Sequence, residues 1–424
     1  MKSSKPFRGM KDVLPGEVER RNTLMGIVRA VYRAHGYLEI ETPIVESLDV
    51  LFGSGGGENE KLTYRLLKRG EKLEINESTT ADDLCDGGLR FDLTVPLCRF
   101  YAENMHRLPK PFRSIQIGPS FRAERPQKGR YRQFTQADID IIGDPTQLAE
   151  IELITASGHA LHTLGLTDFS VRLNDRRALD QILAKAGIEE HLIKSAQIAL
   201  DKLDKLPPQQ VVEELHLRGV SSPIAEGIVG KLTQIPPHKA IDAMSDLGAE
   251  EAPLFSLQTI LQHSSHSVKG MRVIVDPLCV RGLGYYTSTV FEVSHPASQS
   301  SIAGGGRYDN MLSRFGLDSP ACGISLGFDR ILAMMDEMRL ERPKGAKRLY
   351  LIFDPEIELD VALVTSREYR KAGYLVSMVS HRRGSRSPMK RLATEAEELK
   401  RQGASEEFWF QTLGEDQEPR LLMH

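Results

Sequence analysis

At 424 residues, 40% hydrophobic and 27% charged, the chain has the make-up of an ordinary globular protein of two or three domains, each able to bury its own core. A net charge of −3 excludes a global basic field, so any nucleic acid must be held by local cationic patches. The four scattered cysteines (Cys85, Cys98, Cys279, Cys322) form no CxxC pair and support neither a zinc site nor a disulfide framework. MKSSKPFRGMKD lacks an apolar signal core and no run reaches membrane-spanning length, so a cytoplasmic protein with no membrane partner is expected.

In chain order, Leu24, Ile27, Val28, Val31 and Tyr32 recur at helical spacing, and Gly36 supplies a stop. Tyr37 to Pro43 reads as a strand. GSGGGENEK (53–61) is a glycine loop without the GK[ST] ending of a phosphate-binding P-loop, so a lid or turn is favoured. Strands are predicted around Lys72–Asn76 and Leu89–Thr94. The second places Asp92 and Thr94 on one face by the two-residue period, and a helix follows from Pro96 to about Asn104.

A hairpin opens at Ser114–Gly118 and turns through a charged loop centred on Pro126-Gln127-Lys128-Gly129. On its return strand Arg130, Arg132, Phe134, Gln136, Asp138 and Asp140 share a face. Arginines at one end and acids at the other suit a ligand bearing a polyphosphate and an amine; a solvated, salt-bridged edge hairpin is equally open. A helix follows over about Thr146–Leu164, and from Arg176 to His266 the pattern is helical throughout. Strands resume at Gly270–Val275 and Thr289–Val293. SIAGGGRYD (301–309) fits a tight turn and not GxGxxG; Ile324–Met338 reads as strand into helix. ERPKGAK (341–347) is a linker to a segment alternating strand and helix, a small α/β domain.

Taken together, these segments resemble class II histidyl-tRNA synthetases over nearly the whole chain. GYLEIETPIVES (36–47) resembles motif 1, FRAERPQKGRYRQF (121–134) motif 2 and GISLGFDRI (323–331) motif 3. RGLGYYTSTVFE (281–292) and AGGGRYD (303–309) are similar to the histidine-specific segments. The resemblance implies an α+β fold: a class II antiparallel sheet of six or seven strands flanked by helices. Residues 1–175 and 267–340 would form the catalytic domain and 176–266 a helical insertion. Residues 348–424 would form an α/β anticodon-binding-like domain, shortened at RLLMH by a strand and a helix. The implied activity is ATP-dependent conversion of L-histidine to histidyl-adenylate, with Mg²⁺ entering on ATP and no dedicated protein metal site. Transfer to the 3′ end of tRNA(His) follows, in a homodimer.

The resemblance also implies roles. Arg122 and Arg281 contact the α-phosphate, Arg122 also the histidine carboxylate, and with Gln136 they form the catalytic set. Glu124 faces adenine, and Arg130 and Arg330 hold the outer phosphates. Asp92, Thr94 and Gln136 bind the α-amino group, Asp140 and Tyr286 read the imidazole, and Tyr285 shares their pocket. HRRGSRSPMKR (381–391) supplies Arg382, Arg383, Arg386 and Lys390 as tRNA contacts, with a solvated loop and helix start as the other reading. Three departures stand out: Gly284 for the family's aspartate, Thr135 for a histidine, and the short C-terminus. A non-catalytic histidine sensor, such as the regulatory subunit of ATP phosphoribosyltransferase, and an adenylate-forming enzyme that no longer charges tRNA are the alternatives. Asp138 receives no role.

Overall fold

A computed structural model describes residues 4–52, 62–70, 73, 75–76, 79–80, 83–126, 130–204, 206–280, 284–338, 340, 347–402, 404 and 406–423. The glycine loop, the hairpin tip 127–129 and Arg281 lie outside the described residues. The chain divides into two compact units: Phe7–Met10 with Val28–Arg339, and Met1–Pro6 with Lys11–Ile27 and Leu340–His424. The apolar stripe predicted near the N-terminus lies on the helix Pro15–Ala34, where Leu24, Val28 and Tyr32 are buried. Among the described residues no helix is long and apolar enough to cross a membrane, and all four cysteines are free thiols.

The larger unit carries β1 (Leu38–Glu39), β2 (Val45–Ser47), β3 (Arg65–Leu67), β4 (Cys85–Leu89), β5 (Phe112–Phe121) and β6 (Gln133–Ile142). Later come β7 (Phe169–Asp175), β8 (Met271–Val275), β9 (Thr289–Ser294), β10 (Ala303–Arg307) and β11 (Ala321–Gly327). Eight of these form the main sheet in the order β1-β5-β6-β11-β10-β9-β7-β8. From β5 through β7 every neighbouring pair is antiparallel, and β1 and β8 add a parallel strand at each edge. The expected antiparallel sheet is therefore the centre of a mixed one. A parallel edge needs a long crossover, and between β7 and β8 the chain supplies it as helices at Arg176–Lys185, Glu190–Leu200, Pro208–Leu217, Ser222–Thr233, Ala240–Asp246 and Glu251–Ser264.

Three predicted elements differ. The strand expected at 72–76 lies partly outside the described residues, and the described strand before it is β3 at Arg65–Leu67, in a small sheet of order β2-β4-β3. Described residues Leu73, Ile75 and Asn76 lie outside any strand, with Ile75 74% exposed. The strand expected at Leu89–Thr94 ends at Leu89, and Thr94 opens the helix Thr94–Asn104. The Asp92 carboxylate accepts the Val95 N–H at 3.0 Å, capping that helix, and Pro96 falls in its first turn, where a missing N–H costs little. SIAGGGRYD is not a turn: its glycines form β10, buried between β9 and β11. A Cβ on Gly305 would lie 1.9 Å from the Gly323 carbonyl oxygen and 2.7 Å from the Phe291 ring, so the triplet exists for close approach.

Arg307 ends β10 by leaving the sheet for the helix Leu148–Thr163. Its guanidinium donates to both Glu150 oxygens (2.8 and 2.6 Å) and to the carbonyls of Asp144 and Thr146 (3.0 and 2.8 Å). Arg307 and Glu150 are both buried, and only such full satisfaction makes a buried ion pair tolerable.

In the second unit β12 (Lys347–Phe353), β13 (Leu375–Ser380), β14 (Glu407–Thr412) and β15 (Arg420–Met423) form a sheet in the order β13-β12-β14-β15. The first three are parallel and are joined by helices Leu359–Lys371 and Met389–Arg401. RLLM forms the fourth strand, antiparallel to β14.

Candidate active site

A cleft of about 540 Å³ opens on one face of the main sheet, floored by β6, β11 and β10. The strand register explains why there is space. Asp140 lies opposite Gly323, which lies opposite Gly306; Asp138 lies opposite Ser325, which lies opposite Gly304; Gln136 lies opposite Gly327. Residues directly across neighbouring strands share a face, so the acids of β6 look across a nearly bare floor. A Cβ on Gly323 would fall 1.9 Å from Asp140 Oδ1. Phe134, Gln136, Asp138 and Asp140 all line the cleft, as the two-residue period predicts. Arg132 breaks the pattern: it precedes β6, and its Nε donates to the Glu124 carbonyl at 2.9 Å.

The floor is acidic and buried. Tyr308 donates its hydroxyl to Asp140 Oδ1 at 2.7 Å, while Oδ2 has no hydrogen-bond partner among the described residues. Burial, and secondarily the charge of Asp92, pushes the Asp140 carboxyl up to about 7 against the pull of the Tyr308 hydroxyl. Burial also raises Asp92, partly offset by the Val95 N–H and by Arg122. Asp138 is pushed well above the usual carboxylate range by burial and then by Asp140. Three buried carboxyls on one floor favour a ligand that brings positive charge.

Tyr285 stands over Asp92, its hydroxyl 3.5 Å from Oδ2, and meets the Tyr286 ring edge-on with centroids 4.8 Å apart. Thr94 and both tyrosines line the cleft and are nearly buried. At the mouth, the Arg122 Nε donates to the Phe91 carbonyl at 3.1 Å and its guanidinium lies 5.1 Å from the Phe134 ring centroid. Arg130 and Glu124 pair with each other at 3.2 Å, and Arg330 donates to the Ser301 carbonyl. The structure thus gathers Asp92, Thr94, Arg122, Glu124, Arg130, Gln136, Asp140, Tyr285, Tyr286 and Arg330 into one cleft. Arg281 lies outside the described residues. Arg382, Arg383, Arg386 and Lys390 belong to the second unit, where Arg382 pairs with Glu356 and Arg383 with Glu358.

Sequence reasoning gave no role to Tyr308, Ser325 or Asp138. The period that singles out Gln136 and Asp140 also contains Asp138, so that signal was present. Tyr308 stood inside a quoted motif, but its partner Asp140 is 168 positions away. Arg172, bonded to Asp276 at 2.7 Å, also lines the cleft without any sequence signal.

Comparison with known proteins agrees with this geometry. The histidyl-tRNA synthetase family model matches residues 9–331. The chain belongs to the histidyl-tRNA synthetase family. It is 43% identical over 388 residues to the histidine--tRNA ligase of Leifsonia xyli subsp. xyli, covering 88% of this chain and 89% of that relative. It is 38% identical over 390 residues to a probable histidine--tRNA ligase of Tropheryma whipplei, with the same coverage of each chain. Among solved structures it superimposes on the histidyl-tRNA synthetase of Nostoc sp. PCC 7120 with a TM-score of 0.77 and 25% identity, covering 97% of this chain and 92% of that one. A Bacillus halodurans C protein titled ATP phosphoribosyltransferase regulatory subunit/histidyl-tRNA synthetase gives a TM-score of 0.74 at 19% identity over 96% of this chain and 99% of that one; at that identity only the fold is shared.

Proposed function

We propose that the protein is a histidine--tRNA ligase that activates L-histidine with ATP to histidyl-adenylate and transfers it to the 3′ end of tRNA(His). The observation that carries this reading is one cleft with a buried acidic floor and arginines at its mouth, in a chain of this family. Histidine brings an ammonium group and a ring with one N–H donor and one acceptor nitrogen to the floor, and ATP brings its phosphates to the mouth. Asp92, Thr94 and Gln136 hold the α-amino group, Asp140 and Tyr286 read the imidazole, and Tyr285 closes the pocket. Glu124 turns from Arg130 to the adenine amino group, freeing Arg130 to join Arg330 on the outer phosphates. Arg122 and Arg281 take the α-phosphate.

The carboxylate of histidine is already a nucleophile, so the residues need only position and neutralise. Charge developing on the α-phosphate oxygens meets guanidinium groups fixed in advance. One such pair about 4 Å apart is worth roughly 4 kcal/mol at an effective dielectric near 20. Two hydrogen bonds to opposite ring nitrogens reject apolar analogues, which would leave buried polar groups unpaired. Mg²⁺ enters on the nucleotide phosphates, as a small cation that binds oxygens and keeps much of its water.

In this reading residues 1–175 and 267–340 are the catalytic domain, 176–266 the helical insertion and 348–424 the tRNA-reading module, with Arg386 and Lys390 against tRNA and Arg382 and Arg383 bracing their loop. The protein works as a cytoplasmic homodimer. Histidine-dependent ATP–pyrophosphate exchange followed by charging of purified tRNA tests the reading. Folded protein that binds histidine without exchange would instead be a sensor, and exchange without charging would confine the activity to adenylate formation.

A further inference from the structure

We propose that Asp138 is a further histidine-binding residue, its Oδ1 accepting one N–H of the substrate α-ammonium group. The inference rests on the reading of the cleft as a histidine site. An ammonium carries three N–H donors and no acceptor, so beside Asp92, Thr94 and Gln136 its pocket can use a further buried acceptor. The lining of the cleft offers one. Asp92 Oδ1 is committed to the Val95 N–H, and Oδ2 lies 3.5 Å from the Tyr285 hydroxyl. Gln136 donates through Nε2 to Ser325 Oγ at 2.6 Å, which leaves Oε1 as its acceptor, without a hydrogen-bond partner among the described residues. The Asp138 carboxyl is bonded by the Ser325 hydroxyl and meets the same Nε2 through Oδ2 at 3.4 Å, and its Oδ1 has no hydrogen-bond partner among the described residues.

Asp138 is 2% exposed, lines the cleft and stands between Gln136 and Asp140 on the same face of β6. Its cross-strand neighbours are Gln116 and Ser325. Gln116 does not satisfy it, being occupied by the Thr42 hydroxyl and the Leu93 carbonyl. A buried carboxylate oxygen left open beside a second open acceptor is costly in the empty pocket and is repaid when a cation arrives. Gln136 thereby acts as the hinge of the site: Ser325 fixes its amide, and the amide orients both its own carbonyl oxygen and the Asp138 carboxylate.

The test compares two ligands on two proteins by calorimetry: histidine, and imidazolepropionate, which lacks the amino group. Asp138→Asn keeps the shape and removes the acidic group that a bound ammonium would ionise. It is expected to weaken histidine by about tenfold or more, the scale of a hydrogen bond to a charged group, while imidazolepropionate binds as tightly as to the wild type. Equal weakening of both ligands, or of neither, would overturn the inference. Asp138→Ser, with melting temperature recorded for both variants, carries the comparison if the asparagine variant does not fold. Failure of the wild-type protein to bind histidine at all would refute the underlying reading instead.

Discussion

At neutral pH Asp140 stands at the boundary between hydrogen-bond acceptor and donor. Tyr308 occupies Oδ1, so Oδ2 is left to meet a ligand, and a carboxyl poised at about 7 offers it as an acceptor only when ionised. Below that pH the carboxyl is neutral and the free imidazole, with an ordinary value near 6.5, is charging as well. The efficiency of exchange with respect to histidine should therefore fall from pH 8 to pH 6. Asp140→Asn should flatten that limb and raise the histidine KM roughly 10- to 100-fold, with the ATP KM unmoved; an unchanged limb in the variant would refute the assignment. The stability consequence has the opposite sign to that of an ordinary salt-bridged acid. Because the folded value lies above the unfolded value of about 4, the native state binds more protons between these limits. The stability this group contributes is complete below about pH 4 and is lost as pH rises through about 7, so the asparagine variant should gain on the wild type across that window in denaturant titrations.

The elements that hold this residue are clamped from the far side of the sheet. Arg307 closes β10 onto the helix Leu148–Thr163, and the next residue is Tyr308, which holds Asp140. Glu150→Ala leaves the buried guanidinium the Asp309 carboxylate at 3.5 Å as its one ion-pair partner among the described residues and should cost about 3 kcal/mol in chemical denaturation. The double change Glu150→Met with Arg307→Met removes both charges and should cost less than the single change. Equal losses would mean the charge pair is not the clamp. Elements of this kind were only half readable in the sequence. The alternation on β6 was plain because Gln136, Asp138 and Asp140 share one face in the middle of the strand while Ala137, Ile139 and Ile141 take the other. Asp92 and Thr94 line the cleft from a different element than the strand expected, since seven residues of mixed polarity look like a strand until the Asp92 bond to the Val95 N–H is known. The Gly304–Gly306 run looked like a turn because glycine marks turns by default; its cause is the crowding by Gly323 and Phe291, which only tertiary structure reveals. Tyr308, Arg307 and Arg172 could not be placed at all, because their partners are distant in the chain.

For the molecule as a whole, charge decides how two functions share one chain. The net charge of −3 gives no long-range pull on a polyanion, so tRNA must be caught by a local patch. Within HRRGSRSPMKR the cations are not equivalent. Arg382 and Arg383 are spent on Glu356 and Glu358, and the Arg383 N–H also binds Asp354 at 2.9 Å, so these two brace the loop. Arg386 and Lys390 are exposed and, among the described residues, have no carboxylate within ion-pair distance; they are the charges a phosphate would meet. Every described residue assigned to the chemistry lies in the other unit. Arg386→Gln with Lys390→Gln should therefore raise the tRNA KM in charging assays and reduce the slope of log affinity against log salt by roughly 1 to 2, the yield of two phosphate contacts. Histidine-dependent exchange, which needs no tRNA, should keep its wild-type rate in the same preparation. A salt slope identical to the wild type would move the tRNA contact away from this loop, and loss of exchange would mean that the two functions are not divided between the units in this way.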